Sequence, residues 1–224
     1  VKLVALVERI LARRSGSDDP LPIVQTGHPA LRRRAQTWNG QLPAALLDEL
    51  IDAMVITMRD APGVGLAAPQ VGIPLRLAVL EDTFEPEADD NLLRRTPLDL
   101  QVVLNPEYRA RGTRCAYAWE GCLSVAGFSS IVPRAVQIDW TALHWNSAQA
   151  TATPASGTWE GWPARIFQHE TDHLAGALCH DLAVPRSTIM NRYVHRYRDL
   201  SQAVRQLGLY GDITRLEPGQ VELG

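Results

Sequence analysis

Two histidines one helical turn apart, His169 and His173, with Glu170 beside the first, are the residues of this 224-residue chain best suited to chemistry. They lie in the stretch 162–177, WPARIFQHETDHLAGA, where Trp162, Ile166, His169, His173 and Ala177 recur every three or four residues. That spacing predicts one face of an α-helix, with Pro163 suited to its first turn. Two imidazoles so placed can hold one divalent metal, and Glu170 on the flank of the same turn can handle a proton on water activated there. The pattern H-E-x-x-H therefore points to metal-assisted hydrolysis. Two solvated polar residues are the plainer alternative. Their place on the apolar face, beside Trp162 and Ile166, counts against it, because buried imidazoles need partners.

A catalytic site of this type takes three protein ligands and leaves one position for water. Two cysteines compete to be the third. Downstream, HETDHLAGALC puts Gly176 and Cys179 where the metzincin protease pattern has its glycine and last histidine. Upstream, Cys122 in EGCLS can face the helix from the end of a strand. Gly121 gives that thiolate room, whereas Cys179 sits in the apolar run ALC and can be plain core. The residues alone leave both open.

The elements that must position these groups are readable in outline. Residues 43–58 predict a helix whose stripe is Leu47, Leu50, Ile51, Met54, Val55 and Met58. Strands are expected over 75–80, over 101–105 with Pro106 as terminator, and over 136–142, where Val136, Ile138, Trp140 and Ala142 alternate with polar residues. Residues 148–154 should pair back on the last of these. The loop 61–72, APGVGLAAPQVG, lets backbone approach a ligand at Gly63 and Gly65 and carries one amide, Gln70. It is not a phosphate loop, since no Gly-Lys-Ser/Thr ending follows. Residues 81–90 hold six acidic groups and read as a solvated surface loop. A last helix is expected from 186 to 207, with Ile189, Tyr193, Tyr197, Leu200, Val204 and Leu207 as its stripe and a net +4, before a loose tail. The pattern argues for an α+β fold: short mixed or antiparallel sheets around the helix carrying H-E-x-x-H, with helical extensions at both ends. Three units follow: an N-terminal helix and linker over 1–22, a catalytic domain over 23–184, and the C-terminal helix and tail over 185–224.

Composition fits an ordinary globular domain, with 46% hydrophobic and 21% charged residues. A net charge of −3 gives no general attraction to nucleic acid. Three cysteines are too few and too odd for a disulfide framework and fit a reducing compartment. No apolar run is long enough to span a membrane. The first fourteen residues are amphipathic and predict a docking helix rather than a targeting peptide.

Three segments together, GVGLAAPQVG (63–72), EGCLS (120–124) and QHETDH (168–173), resemble the signature segments of peptide deformylase in that family's order. IVQTGHPALRRRA, from residue 23, is similar to the family's usual start, and the likeness runs to about residue 183. The resemblance implies Cys122, His169 and His173 as metal ligands and Glu170 as the acid/base. Gln70 and the backbone N–H of Leu123 become donors to the oxyanion. Gly63, Val64, Gly65, Glu120, Gly121, Trp162 and Ile166 become the substrate walls. It implies one divalent ion, Fe²⁺ foremost with Zn²⁺, Ni²⁺ or Co²⁺ as substitutes. It further implies a formyl-methionyl peptide as substrate and a bacterial cytoplasmic setting; some members of the family dock weakly on the ribosome through a C-terminal helix, although the plainer reading of this one is a stripe packed on the body with its arginines solvated. The departure from the family pattern follows Ser124-Val125, where Ala126 stands in place of a proline. Arg134 in IVPR matches. The competing readings are a zinc endopeptidase built on Cys179 and a non-catalytic homologue that only holds a metal.

Overall fold

The computed structural model describes residues 3–83, 95–215 and 222–223. Helix α1 (Leu3–Leu11) packs Val7, Ile10 and Leu11 into the same core as α2 (Ala44–Asp60). All six stripe residues expected of α2 are buried. Strand β1 (Gly65–Ala67) runs straight into a 3₁₀ turn, Ala68–Val71, that carries Gln70 and ends on Gly72 in the left-handed region at φ 84°.

Two antiparallel sheets follow. The larger has the order β1-β2-β3-β6-β7, with β2 Leu77–Asp82, β3 Leu98–Ala110, β6 Gln137–Asn146 and β7 Thr151–Glu160. The smaller, β8-β5-β4-β9, has β4 Cys115–Gly121 and β5 Phe128–Ala135 between two-residue edges, β8 Ile189–Met190 and β9 Glu222–Leu223. The β6 alternation is as expected: Ile138, Trp140 and Ala142 are buried while Asp139 and Thr141 are exposed. Its partner β7 starts at Thr151, after a turn at 147–150, and runs on to Glu160, pairing along all of β6.

Pro106 does not end β3. The strand absorbs it at an irregularity in its register with β6 between Leu104 and Glu107, next to Asn105 at φ 51°. A residue without an N–H is tolerated where the ladder is already broken.

Helix α3 (Trp162–Ala175) starts after Gly161 at φ 67° and stops on Gly176 at φ 84°. It packs against β1, β2, β3, β5 and β7, so it stands between the sheets. Phe167, fully buried among Trp140 and Trp159, is its main anchor; such a side chain contributes roughly 2–3 kcal/mol by burial.

Two expectations are corrected. The single helix over 186–207 is broken. Ile189–Met190 pairs with β5, α4 (Asn191–Val194) is one turn, and α5 (Leu200–Leu207) starts afresh where the Asp199 carboxylate accepts the Ser201 N–H at 2.8 Å. Capping there satisfies a donor that a continuous helix would have used itself. The tail is not loose over its described part: Leu209 and Ile213 are buried against Tyr117, Ile131 and Leu200, and residues 222–223 pair with β4.

Candidate metal centre

Cys122 follows the last residue of β4, and α3 presents His169 and His173 to it. One ligand atom from each lies within 4.8 Å of the others. The Cys122 Sγ is 3.4 Å from His173 Nε2. His173 is fully buried, and its Nδ1 has no partner among the described residues.

A buried ion cluster sets the orientation of His169. Its Nδ1 lies 3.1 Å from Glu120 Oε2; a carboxylate only accepts, so Nδ1 carries a proton and Nε2 is the nitrogen left to face a metal. Glu120 also accepts Arg134 through two bonds of 3.0 Å and a third from Arg165. Arg134 in turn pairs with Asp172, which accepts the Tyr108 hydroxyl at 2.9 Å. Burial alone would raise the Glu120 carboxyl, but Arg134, the His169 hydrogen bond and Arg165 overcome it and hold the group well below the usual range.

Cys179 is not plain core. Its sulfur lies 3.1 Å from His180 Nδ1, and its ligand atom lies within 4.8 Å of those of Glu120 and His169. The two thiols are pushed in opposite directions. The neighbouring Cys179 thiol, His169 and His173 together hold Cys122 well below an ordinary thiol against the effect of burial. Cys179, facing that sulfur and desolvated, is raised far above it. Of the two sulfurs, Cys122 is thus the one favoured as thiolate and Cys179 the one kept as thiol. Glu120, committed to two arginines and an imidazole, leaves the second triplet without a free carboxylate.

Glu170 is buried, and its Oε2 has no partner among the described residues. Burial raises its carboxyl above the usual value, with the two imidazoles opposing. Gln70 is held by one end: its Oε1 accepts the Ala67 N–H at 2.8 Å, so its Nε2 faces inward, 3.7 Å from Cys122 Sγ.

These groups open on a cleft of about 450 Å³. Its walls include Gly63, Val64, Gly65, Gly121, Leu123, Trp162 and Ile166, together with Glu120. Every residue anticipated for the site lines this cleft except His173, which lies beneath it. Pattern reading missed Arg95, Trp119, Arg165 and Asn191 on the walls. It missed Asp82 too. This residue belongs to the acidic run assigned to a solvated loop, yet it is buried at the end of β2, and Glu81 pairs with Arg59. Residues 84–90 of that run lie outside the described residues.

The missing proline also has an explanation. Ala126 keeps an N–H, which donates to Gln25 Oε1 at 3.1 Å, while Gln25 Nε2 donates to the Leu123 carbonyl at 3.0 Å. Thr26 N–H adds a bond to the Ser124 carbonyl at 2.8 Å. The segment after Cys122 is braced from residues 25–26.

The donor set, one thiolate and two imidazoles, suits a divalent transition ion without naming it. Residues 20–188 match the family model for polypeptide deformylase. The chain is 46% identical over 188 residues to "Peptide deformylase 3" of Streptomyces avermitilis, covering 83% of this chain and 79% of that protein. It is 36% identical over 185 residues to the human "Peptide deformylase, mitochondrial", covering 79% and 73%. The Met-Ala-Ser-bound class I type b peptide deformylase of Acinetobacter baumannii superposes with a TM-score of 0.64 at 31% identity, over 74% of this chain and 99% of that one.

Proposed function

The chain belongs to the peptide deformylase family, hydrolases that remove the N-formyl group from nascent peptides, and on that footing we propose which residues run the reaction. Cys122, His169 and His173 hold one divalent ion, Fe²⁺ foremost with Zn²⁺, Ni²⁺ or Co²⁺ able to replace it. The observation that carries this is the meeting of one sulfur and two imidazole nitrogens beside the buried Glu170. When bound, such an ion supplies Lewis acidity and a water acidified toward neutral pH.

Glu170, raised by burial, takes the proton as the water oxygen bonds to the formyl carbon. Gln70 Nε2 and the Leu123 N–H donate to the oxygen that gains charge; a donor of this kind is worth about 3 kcal/mol. Glu170 then passes its proton to the departing amine as the C–N bond breaks, leaving formate and a free N-terminus. The methionine side chain lies against Val64, Trp162 and Ile166. Gly63, Gly65, Glu120 and Gly121 line the remaining wall.

We take 23–184 as the catalytic unit, with the segment 185–224 adding Asn191 to the cleft. No described helix is long and apolar enough to cross a membrane. The bacterial cytoplasm is the compartment this reading assigns. Contact with the ribosome would run through the exposed Arg192, Arg196 and Arg205 of the broken C-terminal segment, and should weaken steeply with salt. Formate release from formyl-Met-Ala-Ser, assayed anaerobically with Fe²⁺, tests the central reading. No release from metal-loaded protein overturns it.

A further inference from the structure

Asp82 is the last residue of β2, 3% exposed, and sits behind one wall of the cleft. Its Oδ2 accepts the Trp162 indole N–H at 2.6 Å. The same carboxylate accepts Arg95 in two bonds, Nε to Oδ2 at 2.6 Å and Nη2 to Oδ1 at 2.9 Å. The Arg95 guanidinium lies over the Trp162 ring, 5.3 Å from its centroid. Three contacts thus fix one indole: a charged acceptor at its N–H, a cation over its ring, and a two-point bond tying that cation to the acceptor.

We propose that Asp82 and Arg95 are positioning residues that set selectivity for the first side chain of the substrate by holding Trp162. The proposal rests on the reading of the cleft as the peptide site. Trp162 opens α3, one turn before Ile166 and two before His169 and Glu170. A tryptophan on the first turn of a helix has free rotamers unless something fixes it. Only a fixed indole presents a constant wall to a long apolar side chain, and sulfur–aromatic contact favours a thioether there. Arg95 shares the wall, so part of the surface that meets the substrate is itself held by Asp82. A bidentate arginine–carboxylate pair is directional in a way a single bond is not.

Asp82→Asn keeps the shape but removes the charge that anchors Arg95, and Trp162→Phe keeps a ring without its N–H. The test compares formyl-Met-Ala-Ser with formyl-Ala-Ala-Ser in wild type and both variants. In Asp82→Asn the methionyl KM should rise about tenfold with kcat within about twofold, while kcat/KM for the alanyl peptide stays within about twofold; Trp162→Phe should raise the methionyl KM as well. Arg95→Lys, unable to make the two-point bond, should fall between. Calorimetric titration of Met-Ala-Ser and Ala-Ala-Ser gives the same ratio without turnover. A narrowed affinity ratio in the variants supports the clamp even if the catalytic roles are wrong. Equal losses on both peptides, or an unchanged ratio, overturn it. Absence of formate release from wild type strikes the reading of the metal centre instead.

Discussion

Gly65 faces the Glu170 side chain so closely that a Cβ there would lie 2.7 Å from both its Cγ and Cδ. The backbone of β1 is therefore part of the cradle of the proposed acid/base. Gly65→Ala should push the carboxylate aside, because a flexible side chain yields before a strand does. The expected result is a fall in kcat of about 10²-fold with metal content unchanged. Metal analysis beside steady-state kinetics checks it, and retained activity would separate Glu170 from proton transfer.

Glu170→Gln preserves the shape of the side chain and removes its ability to carry a proton. Metal should be retained and kcat should fall about 10²–10⁴-fold. A rate within threefold of wild type would take Glu170 out of the mechanism.

Cys122→Ser should lose the metal on purification, whereas Cys179→Ala should keep it. Competition with a chelator measures both. Metal loss from Cys179→Ala with retention in Cys122→Ser would exchange their roles.

Glu120 links stability to pH. Its folded carboxyl lies well below the ordinary value of 4.5. The contribution is complete above the unfolded value and is lost as pH falls toward the folded one, where the unfolded chain binds a proton that the native chain does not. Chemical denaturation from pH 7 downward should therefore show stability declining below about pH 4.5. In Glu120→Gln that decline should be shallower, on top of a general loss from leaving Arg134 and Arg165 buried without their partner. Parallel slopes for the two proteins would remove Glu120 from the linkage.

Gln25→Ala breaks both bonds to the segment after Cys122, and Ala126→Pro breaks the one from the residue 126 N–H. Exposed neutral hydrogen bonds contribute about 0.5–1.5 kcal/mol each, so thermal stability should fall modestly. Because Leu123 supplies an oxyanion donor in the proposed mechanism, kcat should fall further in Gln25→Ala than in Ala126→Pro, which leaves the bond to the Leu123 carbonyl. The reverse order would mean that the brace serves only the fold.

How much of this was legible in the sequence follows from range. The helix 162–175 and the α2 stripe could be read because their signal repeats every three or four residues. Cys122 as the ligand came from resemblance, since the room at Gly121 and the apolar run around Cys179 left both open, and only the fold brings the Cys122 sulfur to 3.4 Å from His173 Nε2. Asp82 was misread because a run of carboxylates looks solvated until one of them meets an indole 80 residues away. The C-terminal stripe was genuinely periodic, but Asp199 and the pairing of Ile189 with Ser129 interrupt it. Gln25 acts across 98 and 101 residues and carries no pattern at all.

The placement of α3 between two sheets has a consequence for how the protein fails. Gln70 travels with the five-stranded sheet and Cys122 with the four-stranded one, so the reacting groups belong to two bodies joined through α3 and a few polar links such as Arg134–Asp172–Tyr108. Slippage along that seam by an ångström would silence the enzyme while every strand and helix persisted. Such partial openings lie below the global unfolding free energy. In a denaturant titration, turnover should accordingly vanish before far-ultraviolet ellipticity does, and the first amide protons to exchange should lie where α3 meets β4 and β5.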